Sequence, residues 1–129
     1  MSLYEFHGWF TLWQSDSEVD ADIVFHRKTE LIGLMSRMDW LAGASDVFRL
    51  NGESYLRLHG TVDLSDERRA DIDSILDFIS TRLGGSHGML YERFDHENAL
   101  SPAEPGAFRV RVMTQGIIQM QDDPFFSHV

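Results

Sequence analysis

Six histidines and a surplus of carboxylates are the groups in this chain that could do chemistry. The histidines are His7, His26, His59, His87, His96 and His128. None stands at the His-x-x-x-His spacing that puts two imidazoles on one side of a helix to hold a metal, and no metal site is expected. His7 and His59 fall in two segments that alternate like neighbouring strands, so they could meet across a sheet with Arg109 beside them. That trio is the best seat for a small ligand or an enzymatic site. Asp71-Ile72-Asp73 lacks the glycine and glutamate that complete a calcium loop. Gly84-Gly85-Ser86-His87-Gly88 looks like a phosphate cradle, but it follows a helical pattern and precedes a strand, the reverse of the order that aims a helix N-terminus at phosphate. No nucleophile elbow appears, and there is no cysteine. With no anchored set of reacting groups, the chain reads as a non-enzyme without a cofactor.

The charge suggests another occupation. Twenty-one acidic residues face 11 basic ones, for a net charge of −10. Such a field repels nucleic acid and anionic lipid and speeds encounter with a basic protein. The carboxylates gather at Asp16, Glu18, Asp20 and Asp22 and at Glu67, Asp71 and Asp77. Acidity also serves plain solubility, and a charged helix face is ordinarily a solvated one.

These residues need elements to place them. Leu3 to Gln14 alternates: Tyr4, Phe6, Gly8, Phe10 and Leu12 on one side, Glu5, His7, Trp9, Thr11 and Trp13 on the other. A helix is expected from about Glu18 to Leu41, with Ile23, Leu31, Leu34, Met38 and Leu41 inward and Gly43 just past its end. Asn51-Gly52 predicts a two-residue hairpin joining Val47–Leu50 to Tyr55–Val62. In the second arm Leu56, Leu58 and Val62 point inward and Tyr55, Arg57, His59 and Thr61 outward. Asp63-Leu64-Ser65 opens a second helix from about Asp66 to Leu83, buried through Ile72, Ile75, Leu76, Ile79 and Leu83 and stopped by Gly84-Gly85. Strands follow at Gly88–Phe94, Phe108–Gln115 and Ile117–Gln121, with a polar loop over 95–106 and a tight turn at Gly116. Phe108, Val110 and Val112 are expected inward, and Arg109, Arg111 and Met113 outward.

The order β-α-β-β-α-β-β-β, with 129 residues and one continuous pattern, predicts a single α+β domain. It should have two layers: a mostly antiparallel sheet with both helices on one face. The other face would show Trp9, Trp13, Tyr55 and Arg57 among polar neighbours, types enriched where proteins bind each other. The tail with Phe125-Phe126 could instead cover it, or a homodimer could bury it. No run approaches the roughly 18 apolar residues of a membrane helix, and the opening residues show no secretory pattern. The cytoplasm is the expected location.

Three segments in order carry a resemblance: Tyr4-Glu5-Phe6-His7-Gly8-Trp9, Ser86-His87-Gly88-Met89-Leu90-Tyr91-Glu92-Arg93, and Asp123-Pro124-Phe125-Phe126-Ser127. Together they resemble the immunity protein 7 family of bacterial polymorphic toxin systems. The likeness departs at the end, where His128-Val129 stands in place of a proline. It implies an α+β immunity protein that neutralises a cognate toxin domain by binding it, and it supplies no catalytic residue. A nuclease or other basic toxin would suit the acidity. The partner-binding candidates are therefore the seven carboxylates named above, with Trp9, Trp13, Tyr55 and Arg57.

Overall fold

The strand that starts the chain, β1 (Leu3–Thr11), is the axis of the sheet in the computed structural model, which describes residues 3–14, 21–95 and 107–123. After it come α1 (Ala21–Ser36), a 3-10 turn at Asp39–Leu41, β2 (Ser45–Leu50), β3 (Glu53–Asp63), α2 (Asp66–Arg82), β4 (Gly88–Phe94), β5 (Phe108–Thr114) and β6 (Ile117–Asp122). The six strands lie in the order β2-β3-β1-β4-β5-β6, and every neighbouring pair is antiparallel. The fold is α+β, as the patterning predicts.

Two tight turns set the register of the hairpins. Asn51 and Gly52 both take positive φ (53° and 82°), as a two-residue turn matching the strand twist requires. Gln115 and Gly116 repeat this (51° and 73°) between β5 and β6. Ser65 caps α2, its Oγ accepting a hydrogen bond from the Arg68 backbone N–H at 3.1 Å.

The core lies between the sheet and the helices. Tyr4, Phe6, Phe10, Leu56, Leu58 and Leu90 rise from the sheet to meet Leu31 and Met35 of α1 and Ile72, Ile75, Leu76 and Ile79 of α2. The expected long first helix is shorter. It ends at Ser36, and Met38 and Leu41 reach the core through the separate 3-10 turn. Its buried side is set by Val24, Leu31 and Met35, at i, i+7 and i+11, which turns Ile23 outward. Two adjacent apolar residues, Ile23 and Val24, left the helical phase ambiguous by one position.

β1 also ends early, at Thr11. Leu12 stays buried and donates its N–H to Ser54 O at 2.9 Å. Trp13 leaves the expected sheet face: it forms an isolated parallel bridge to Gly84 and packs against the core.

The largest correction concerns β5, whose faces are the reverse of the expectation. Arg109 and Arg111 point into the helix-covered side with Met113, while Val110 faces away from the helices. The register explains it. Arg109 pairs with Glu92 and Arg111 with Leu90, and both β4 residues face the core. A buried carboxylate on β4 needs cations beside it, and this outweighs the preference of valines for the core.

Candidate partner-binding surfaces

The helix-free face of the sheet is built from the outward residues of five strands. Trp9 sits near its centre, 43% exposed on β1, with Arg57 of β3 on one side and Met89 of β4 on the other. Its ring meets His87 edge-on at 6.0 Å. One pair along, His7 lies between His59 and Tyr91, and the two imidazoles stack at 6.4 Å. Glu5 accepts hydrogen bonds from His7 Nε2 and from Arg93 Nη2, both at 2.6 Å. The His7 hydrogen bond, aided by the positive charge of Arg93, holds the Glu5 carboxyl below its ordinary range.

Toward the edge, Tyr55 stacks on Phe48 of β2 at 5.5 Å and donates its hydroxyl to Glu53. Arg57 lies over the same Phe48 ring at 5.3 Å and reaches Asp46 at 3.0 Å. Toward β5, Tyr91 meets Phe108 at 6.2 Å and donates to Asp123 at 3.3 Å. Burial first, then the Asp123 charge, raises the Tyr91 pKa.

The acidic candidates divide. Glu67 and Asp77 are exposed on α2. Asp71 is half-buried and accepts a 2.7 Å hydrogen bond from the Trp40 indole, so it is part of the helix packing. Asp22 is exposed in the first turn of α1. Asp16, Glu18 and Asp20 lie outside the described residues, as do Phe125 and Phe126. Among the sheet candidates, Trp9, Tyr55 and Arg57 share the helix-free face, and Trp13 does not. Arg109 is 4% exposed beneath the helices, so the proposed His7, His59 and Arg109 trio is split across the two faces of the sheet.

Sequence reasoning passed over the buried charges. Glu92, 1% exposed, accepts Tyr4 Oη at 2.6 Å and takes Arg111 in a two-pronged grip, Nε at 2.7 Å and Nη2 at 2.9 Å. Arg111 extends Nη1 to Asp73 of α2 at 2.7 Å. Arg109 Nε lies 3.5 Å from Glu92, with its guanidinium 5.2 Å from the centre of the Phe94 ring. Two cations therefore face two carboxylates. Burial opposes the charged form of Arg111, but the hydrogen bonds and charge of Glu92 and Asp73 outweigh it and raise its pKa. The signal was present: Gly88, Leu90, Glu92 and Phe94 alternate inward, which places a carboxylate in the core.

The three segments singled out in the sequence meet here. Gly8 and Gly88 let β1 and β4 approach; a Cβ on Gly88 would stand 2.1 Å from Trp9 O, and one on Gly8 would stand 2.8 Å from Met89 O. Ser86 Oγ accepts from the Trp13 N–H at 2.9 Å. Tyr4 binds Glu92, Glu5 binds Arg93, and Asp123 binds Tyr91. Residues 124–127 lie outside the described residues. The shared segments are thus largely the joint between β1 and β4.

Compared with known families, the chain matches Immunity protein 7 over residues 3–129. It belongs to the Immunity protein 7 family. Neither a similar curated protein nor a similar solved structure was found. Among the described residues, no helix is long and apolar enough to cross a membrane.

Proposed function

We propose that this chain is the immunity protein of a polymorphic toxin system, which binds and neutralises a cognate toxin domain in the cytoplasm and acts by occupation, not catalysis. The carrying observation is the family match over residues 3–129. The net charge of −10 supports a basic toxin, such as a nuclease domain, because opposite net charges accelerate encounter. We place the seat of the toxin on the helix-free sheet face. Trp9 is the large, rigid anchor there, with Tyr55 and Arg57 beside it. The exposed carboxylates Glu67 and Asp77 contribute to the attracting field from the helix side.

The test is co-expression with the protein encoded next to this one. The expected result is that the neighbour arrests growth alone, that this chain restores it, and that the two co-purify. A neighbour that is harmless, or a toxin that is neither bound nor silenced, would sink the proposal.

A further inference from the structure

β2 is one edge of the sheet. Leu50 and Glu53 close the two-residue turn, so Leu50, Phe48 and Asp46 direct their backbone groups at β3, and Ala44 O accepts from His59 N at 2.9 Å. The alternation leaves the N–H and C=O of Ser45, Val47 and Arg49 pointing away from the sheet. β2 ends the strand order, so among the described residues no strand meets that edge.

Two hollows lie along this edge between α1 and β2. One is lined by Phe25, Lys28 and Arg49, and the other by Ile32, Asp39 and Val47. The first therefore carries basic side chains and the second an acidic one. Phe25 (59% exposed) and Ile32 (45%) stand two turns apart on the same side of α1. Isolated exposed apolar residues need no explanation, but a row beside an unpaired strand edge marks an interaction surface.

We infer that two copies of this chain associate through β2, antiparallel and about a two-fold axis at Val47, with the two α1 helices side by side above the seam. An isologous contact must be self-complementary. Here the axis sets Ser45 opposite Arg49 of the second copy, which brings that cation toward the Asp39 end. Val47 meets Val47, and the Phe25 and Ile32 row of one α1 faces that of the other. The net charge of each chain opposes the pairing. Screening over about 8 Å at physiological salt confines that repulsion, and the contact itself is locally balanced. The opposite edge differs: in the groove beside β6 the cation Arg111 is already committed to Asp73 at 2.7 Å, which leaves Asp77 there.

The experiment is sedimentation equilibrium on the full chain. The wild type should show twice its 14.8 kDa mass at high-micromolar concentration. Val47→Pro removes an outward N–H without touching the β2–β3 ladder, and should raise the dimer dissociation constant at least tenfold with an unchanged circular dichroism spectrum. Arg49→Asp and Asp39→Arg should each weaken the dimer similarly, and the double swap should restore it. A monomeric wild type would overturn the inference, as would a dimer indifferent to these changes. So would a monomer that uses the same edge only to bind the toxin, seen as Val47→Pro abolishing that complex.

Discussion

Tyr4 donates a 2.6 Å hydrogen bond to Glu92 across the joint between β1 and β4, and both side chains are 1% exposed. Tyr4 also stacks between Phe6 and Phe94, each at 5.2 Å. One residue thus belongs to the apolar core through its ring and to the buried charge set through its hydroxyl. The carboxylate that receives it is also gripped by Arg111, so the phenol shares Oε2 with a guanidinium that holds both oxygens from a different strand.

This bond makes stability depend on alkaline pH. Burial, followed by the negative charge of Glu92, raises the Tyr4 pKa well above its ordinary 10.0. A group whose pKa is raised in the folded state contributes stability that is complete below its unfolded value and is lost as pH climbs past it. Tyr4→Phe should cost about 1.5–3 kcal/mol at neutral pH, the worth of a hydrogen bond to a charged group. Above pH 10 the gap between variant and wild type should narrow by about 1.4 kcal/mol per pH unit. Urea unfolding of both proteins from neutral pH upward measures it. A gap that stays constant above pH 10 would show that Tyr4 ionises as readily folded as unfolded.

Glu92 carries more. Glu92→Gln keeps the shape but removes the charge that Arg111 grips and that Arg109 approaches. Breaking a buried pair on one side costs about 3–5 kcal/mol, because the remaining charge stays desolvated without its partner. Most of that loss should return when Arg111→Met is added, since the cation that grips Glu92 at 2.7 and 2.9 Å is then gone. A loss under about 1 kcal/mol for Glu92→Gln would mean that the set is not held as charges.

Local chemistry made most of this fold readable and hid most of this charge set. Asn51-Gly52 announces its turn, Ser65 its cap, and Ile72 to Ile79 their stripe, since each acts within a few residues of itself. The face of β5 could not be read locally. Phe108, Val110 and Val112 alternate with Arg109, Arg111 and Met113 equally well in either sense, and only Glu92 on a neighbouring strand decides between them. Trp9, Tyr55 and Arg57 were placed correctly because β1 and β3 have one unambiguous apolar side. Trp13 was misplaced because the strand ends two residues before it, where Ser86 takes its backbone N–H.

The closeness of β1 and β4 predicts opposite outcomes for two glycine substitutions. Gly88→Ala drives a methyl into the backbone of Trp9 and Phe10, and neither can yield as a flexible side chain would. The loss should be about 3 kcal/mol or more. Gly33 lies on the exposed side of α1 with nothing within 4 Å of the position of a Cβ. There alanine should stabilise by about 0.5–1 kcal/mol, because glycine loses more backbone freedom in a helix. Thermal melts of the two variants decide this. If both shift the same way, the backbone contact at Gly88 does not govern the joint.

The proposed toxin complex should separate its anchor from its field. Trp9→Ala truncates the central side chain of the helix-free face and should weaken binding by about 2 kcal/mol or more, mainly through faster dissociation. Asp77→Lys alters an exposed carboxylate on the far side, so it should slow association, and less so as salt rises. Asp71 is the instructive control. Its carboxylate is committed to the Trp40 indole, so Asp71→Lys should lower stability before it touches kinetics. Stopped-flow association and surface-captured dissociation, run at two salt concentrations, distinguish the three. Normal dissociation for Trp9→Ala would move the seat off the sheet face, and salt-independent slowing for Asp77→Lys would make that residue part of the contact itself.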